Sequence, residues 1–301
     1  MEISIPPLSA AFARDLYARM LLTRLVDECA ERLQVEGARD VIFSCRGHEA
    51  TQVASALCIE VGNDFTLPYY RDLGVVLTIG MTPYEVLRTY VLARQQEQAP
   101  IEQSRIADRA LPTMMHWGYH KHNTVTGSVP VATQMLHAAG IAFSSKLRKA
   151  AVVTVAYCGD GATTEADFLA GIQFAAQHQL PAIFICEQDD SCASVQTLPL
   201  PTNLVYHSID GMDALTVYAT MRAAMQHARA GYGPVLLEMK VSRPATTREI
   251  SGGAWQDDPL LRCQHYLEAQ GMWDNEWAVQ LQTRLEAEVE RAWQDALQSI
   301  T

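Results

Sequence analysis

Residues 151–190 read AVVTVAYCGDGATTEADFLAGIQFAAQHQLPAIFICEQDD, and the order of patterns within them decides the fold class. AVVTVAY (151–157) is β-rich and nearly uncharged, the mark of a buried strand. TTEADFLAGIQFAAQH (163–178) reads as a helix, with Thr164 and Asp167 spaced as a capping box. PAIFICEQ (181–188) is a second apolar strand, and PVLLEMKVS (234–242) continues the alternation. Strands alternating with helices predict an α/β fold with a doubly wound, mostly parallel sheet flanked by helices. Ligands of such sheets collect at the carboxyl ends of the strands. Both Asp160 and the Glu187-Gln188-Asp189 stretch fall there.

Gly159-Asp160-Gly161 occupies the first strand-to-helix turn. Glycines permit tight backbone there, and exposed N–H groups favour anions. An aspartate repels a bare phosphate. It suits a divalent cation lying between carboxylate and phosphate, because Mg²⁺ usually takes one or two carboxylates plus phosphate oxygens. An ordinary surface turn is the competing reading. Asp189 follows Asp160 by one helix and one strand, so the two carboxylates can face each other across adjacent strand ends and share one cation.

The 301-residue chain is 49% hydrophobic, enough for a sizeable core and against disorder. A net charge of −11 without a basic run argues against nucleic acid and anionic membrane surfaces as partners. No apolar segment approaches the length of a membrane span. The start, MEISIPPLSAAF, lacks the pattern of a signal or transit peptide. Seven cysteines (29, 45, 58, 158, 186, 192, 263) form no CxxC pair, so reduced thiols in a cytoplasmic setting are expected.

The opening third reads as helical: 8–37, ending in Gly37, then RGHEATQVASALCI (46–59), then 82–98, which opens on Thr82-Pro83. DFTLPYYRDLGVVL (64–77) reads as a strand or turn leading into a short helix. Residues 100–127 are irregular and rich in His, Met and Arg; helical pattern resumes over 128–149, and the tail 274–298 is an acidic helix.

Five blocks in order resemble the α subunit of the heterotetrameric, thiamine-diphosphate-dependent 2-oxo acid dehydrogenase E1 component (pyruvate, branched-chain and acetoin types). They are RGHEATQVASAL (46–57), LPYYRDLGVVLTIGMTP (67–83), MHWGYHKHNTVTGSVPVATQMLHAAGIAFSSKLR (115–148), GDGATTEADFLAGIQFAAQHQLPAIFICE (159–187) and IDGMDALTVY (209–218). The resemblance implies one thiamine-diphosphate-binding domain over 1–301, the diphosphate-binding half of that fold. Its parts are a helical 1–100, a cofactor-binding core 101–243, and a variant loop with C-terminal helices over 244–301. It implies that Tyr70 and Arg71 contact the cofactor diphosphate, an apt use of a planar guanidinium. Main-chain groups of Val129 and Val131 would meet the aminopyrimidine ring. Gly159, Gly161 and Ala162 would line the diphosphate, and Asp160, Asp189 and the carbonyl of Ser191 would hold Mg²⁺. Ser128, Pro130, Thr133 and Gln134 match a stretch that binds potassium in some relatives; helix capping by Ser128 is the competing reading. His116, His120 and His122 fall where the family lines its site entrance, as catalytic candidates or as surface histidines.

The chain also departs from the pattern. Relatives commonly read CENNGYAIS where this chain reads CEQDDSCAS (186–194), which replaces a ligating Asn by Asp189 and adds negative charge beside a diphosphate. The link 194–210 is shorter. The loop PATTREISGGAWQDDP (244–259) carries no histidine, although the family's contacts the diphosphate; Arg248 is its possible stand-in or an exposed loop residue. The resemblance implies decarboxylation of a 2-oxo acid and acyl transfer. The site would be completed by a β-type subunit that supplies the activating glutamate in an α₂β₂ assembly, with a lipoyl acyltransferase E2 as a further partner. Two rival readings stand: a carboligase passing the acyl carbanion to a small-molecule acceptor, and a non-catalytic scaffold subunit.

Overall fold

The computed structural model describes residues 7–35, 43–98, 117–128, 130–189, 194–244 and 257–299. Five parallel strands run in the order β1-β2-β3-β5-β4: β1 Phe65–Leu67, β2 Thr154–Gly159, β3 Ala182–Gln188, β4 Val205–Asp210 and β5 Val235–Lys240. The expected strands at 151–157, 181–188 and 234–242 are present, and the 64–77 stretch forms β1 followed by the short helix α3 (Leu73–Thr78). The strand β4 arises within the shortened link, which carries little apolar signal; at the sheet edge its residues are half-buried or exposed and none is fully buried.

Helices cover both faces, as a parallel sheet buried on both sides requires. On one face Val155, Tyr157, Ile183, Ile185, Val235, Leu237 and Met239 pack on α1 (Ala10–Val35), α2 (Glu49–Ala56), α7 (Ala214–Arg229) and α8 (Pro259–Ala269). On the other, Ala156, Cys158, Phe184, Cys186 and Leu236 pack on α5 (Thr133–Leu147) and α6 (Ala166–Gln177). The two faces are the odd and even positions of the same strands. A third cluster lies off the sheet, where α1, α3, α4 (Pro83–Gln98) and α9 (Asn275–Gln298) meet around Tyr90, Trp117 and Trp293.

Local signals explain most helix ends. Thr82 and Glu85 form a reciprocal capping box at the start of α4, and Asp213, Asp258 and Asp274 cap α7, α8 and α9. The expected box at Thr164 and Asp167 does not form. Residues Asp160–Thr164 turn as a 3₁₀ segment, Thr164 Oγ1 bonds the carbonyl of Gly161, and Asp167 instead accepts from Thr133 at 2.9 Å. Ser128 does not cap α5 either, since that helix starts after Ala132, a left-handed residue (φ 71°). The six described cysteines are free thiols, and Cys192 lies outside the described residues. Among the described residues no helix is long and apolar enough to cross a membrane.

Candidate functional site

The pairing register places Gly159 directly beside Glu187, so β2 and β3 end level with each other. On the far side of β2, β1 leads through Pro68 into Tyr69, Tyr70 and Arg71. The carboxyl edge of three neighbouring strands therefore presents Tyr70-Arg71, then Asp160, then Gln188-Asp189. Sequence reasoning expected these groups to converge, and the parallel register brings them to one edge. Gly161 faces open space, with no atom within 4 Å of where a side chain would begin, and Asp160 Oδ1 accepts from its N–H at 2.8 Å. Ala162 is buried beneath this turn.

Arg71 is held in place by its neighbours. Its Nε donates to the carbonyl of Ser44 (3.2 Å), and its guanidinium lies over the Tyr70 ring at 5.2 Å. Phe43 packs against that ring in a tilted contact, centroids 4.7 Å apart, and Trp117 Nε1 donates to the Tyr70 carbonyl at 3.0 Å. Burial disfavours the charge on Arg71, but Tyr69, Tyr70 and Glu187 outweigh it and keep the group cationic. Asp189 is ion-paired with Arg243, just past the end of β5. That pairing offsets the charge by which Asp189 differs from the Asn of relatives.

Beneath this edge lies a buried polar cluster that sequence reasoning did not assign. Glu187 follows Ile183 and Ile185 on the α2 face of β3 and is 1% exposed. Its Oε2 accepts from the Tyr69 hydroxyl (2.6 Å), from His48 Nδ1 (2.6 Å) and from Gln52 Nε2 (3.3 Å). Burial and then the nearby Glu187 carboxylate push the Asp72 carboxyl well up. Burial, again with Glu187, pushes the Tyr69 phenol up, which keeps it a donor. The available signal was the spacing of His48 and Gln52, one helical turn apart on a segment read only as a helix.

The other expected residues are dispersed. Val131 is exposed beside the left-handed Ala132, and Ser128 Oγ bonds Pro130 O and Gln134 Oε1 at 2.9 and 3.4 Å. Gln134 in turn donates to the Tyr157 carbonyl (2.9 Å), tying α5 to β2. His120 and His122 are not brought to the carboxyl edge. Residues 123–125 run alongside β1, with Thr66 N bonded to Asn123 O and Val125 N to Thr66 O, and Asn123 is tied back to Gly62. The two histidines thus lie near the amino end of β1, His122 stacked on Tyr119 and His120 exposed. His116, Val129, Ser191 and Arg248 lie outside the described residues. Among the described residues no cluster of three His, Cys, Asp or Glu side chains forms a closed metal site.

Residues 17–300 match the family model of the dehydrogenase E1 component. The 2-oxoisovalerate dehydrogenase subunit alpha of Bacillus subtilis (strain 168) is 34% identical over 286 residues, 88% of this chain and 84% of the relative. The pyruvate dehydrogenase E1 component subunit alpha of the same organism is 28% identical over 298 residues, 91% and 75% of the two chains. Its counterpart in Staphylococcus aureus (strain Mu50 / ATCC 700699) is 28% identical over 318 residues, 98% and 80%.

Proposed function

Because the chain belongs to the dehydrogenase E1 component family, we propose that it is an α-type subunit that binds Mg²⁺ and the diphosphate of thiamine diphosphate in a 2-oxo acid dehydrogenase. One arrangement carries this reading: the exits of three adjacent strands bear a fixed cation at Arg71, a carboxylate on a glycine turn at Asp160, and a second carboxylate at Asp189. The residues fit the group. Arg71, preset by Ser44 and Tyr70, would bind diphosphate oxygens, and the open face over Gly161 leaves room for them. Asp160 and Asp189, with the carbonyl of Ser191, would supply the oxygen ligands that Mg²⁺ prefers. Gly159 and Ala162 would line the diphosphate, and the main chain at Val129 and Val131 would meet the aminopyrimidine. When bound, thiamine diphosphate supplies the carbon nucleophile and electron sink for decarboxylating a 2-oxo acid.

The activating glutamate would come from a β-type subunit in an α₂β₂ assembly, consistent with the subunit-alpha names of the relatives. A lipoyl acyltransferase is the expected acceptor. A second reading, carboligation to a small molecule, is favoured by one feature: the 244–259 loop contains no histidine. Calorimetric titration of the α–β complex with thiamine diphosphate and Mg²⁺ tests the main reading. Wild type should bind, and Asp160→Ala should weaken binding by about a hundredfold or more, the upper end of what the loss of even an outer-shell partner of a metal ligand costs. No binding by wild type, or full binding by the variant, would overturn it; the latter would favour the scaffold. Reduction of an artificial electron acceptor compared with ligation to an aldehyde then separates dehydrogenase from carboligase.

A further inference from the structure

His48 and Gln52 stand one turn apart at the start of α2, and both are buried. Gln52 uses three bonds at once. Its Nε2 donates to the carbonyl of Arg71 (3.0 Å) and to Glu187 Oε2 (3.3 Å), and its Oε1 accepts from Gly74 N (2.9 Å) in the first turn of α3. One side chain thereby spans the exit of β1, the start of α3 and the exit of β3. The Glu187 oxygen it meets is shared with His48 Nδ1 and the Tyr69 hydroxyl, so the residue preceding Tyr70-Arg71 is anchored to the same point. A carboxylate partner makes Nδ1 the protonated nitrogen of His48. Gly74 has no room for a side chain against Gln52: an added Cβ would sit 2.9 Å from Gln52 Cβ.

We propose that Gln52 is a positioning residue for diphosphate recognition: it locks the Tyr70-Arg71 turn to Glu187, so Arg71 meets the diphosphate already oriented. The inference rests on the proposed role of Arg71. Gln52 touches neither cofactor nor substrate; it acts through the carbonyl of Arg71, which it ties across to Glu187 of β3 in addition to the local bond that carbonyl accepts from Leu73 N. Binding to a pre-set fork loses less conformational freedom than binding to one that must be ordered first.

The test uses the co-purified α–β complex and two probes, thiamine diphosphate with Mg²⁺ and pyrophosphate with Mg²⁺. Gln52→Met keeps volume and removes all three bonds. It should weaken both probes about tenfold, with the same factor for each, because only the diphosphate half is affected. In an Arg71→Ala background the same change should have no further effect on affinity. A purely structural role gives a loss that adds to that of Arg71→Ala. Full additivity, or Gln52→Met affinity within twofold of wild type, would overturn the inference. An Arg71→Ala variant that binds both probes like wild type removes the premise, and that outcome is distinct from the other two. Should Gln52→Met fail to fold, Gln52→Asn, which stays polar but is too short to reach Arg71, is read in the same way, with melting temperature recorded for every variant.

Discussion

Asp27 illustrates how a single buried charge sets both stability and site geometry. It is fully buried and accepts from Ser44 Oγ (2.6 Å) and Cys45 N (3.1 Å), while the Ser44 carbonyl holds Arg71. Burial raises its carboxyl to about 7, with the Ser44 and Cys45 bonds opposing and Glu49 adding to the rise. The same carboxyl in an unfolded chain titrates near 4, so between those values the folded state binds the extra proton. Its contribution to stability is full below about pH 4 and is lost as pH rises through about 7. Asp27→Asn, which cannot ionise, should therefore gain melting temperature over wild type progressively from pH 5 to pH 8; a pH-independent gap would refute the assignment. A second residue pair gives a charge test. Arg243→Ala removes one cation paired with Asp189, so the negative charge beside the diphosphate grows, and it should weaken Mg²⁺–thiamine diphosphate binding about fivefold, the scale of a part-exposed ion pair. Asp189→Asn in that background should restore it, as read by calorimetry. At this scale Asp160, Asp189 and Arg71 were legible in the sequence because motif and strand end coincide. Glu187 and Gln52 were not given roles, since a buried glutamate on an apolar strand declares its purpose only through partners far away in the chain.

Among the elements, the shortened link and β4 depend on Glu238 of β5. Glu238 is buried and accepts from Ser194 Oγ, from Val195 N at 2.7 Å and from the Tyr206 hydroxyl. Burial opposes its ionisation, but these donors win and hold its carboxyl below the usual range. Its stabilisation is present at neutral pH and lost as pH falls through that lowered value. Glu238→Ala strands several donors and should cost about 3 kcal/mol in urea unfolding, with faster proteolysis within 194–206. Helix packing sets another limit: an added Cβ at Gly171 would fall 2.6 Å from the Met135 carbonyl carbon, so α5 and α6 touch backbone to side there. Gly171→Ala should destabilise by about 2 kcal/mol, measured the same way. Helix and strand positions were readable from period and caps. The strand β4 was not, because an edge strand half open to solvent lacks the continuous apolar run that marks β2, β3 and β5. The Thr164–Asp167 spacing misled for a related reason: Thr133 competes for the same carboxylate from another helix.

For the molecule as a whole, the proposed reading makes the chain one diphosphate-type half, which should not act alone. The isolated chain is expected to show no 2-oxo acid decarboxylation with an artificial electron acceptor, and co-expression with a β-type subunit should restore it; activity of the isolated chain would contradict the shared site. What the sequence by itself determined is the parallel sheet, the family and the three groups at its carboxyl edge, because apolar period, turn glycines and ordered motif blocks are local properties. What only the tertiary structure decided is the support of that edge. It brings α2, β1 and β3 together on Glu187, ties Asp189 to Arg243 at the end of β5, and keeps His120 and His122 near the amino end of β1. Those contacts join residues tens to more than a hundred positions apart, and only the register of neighbouring strands and the packing of helices onto them fixes which side chains meet.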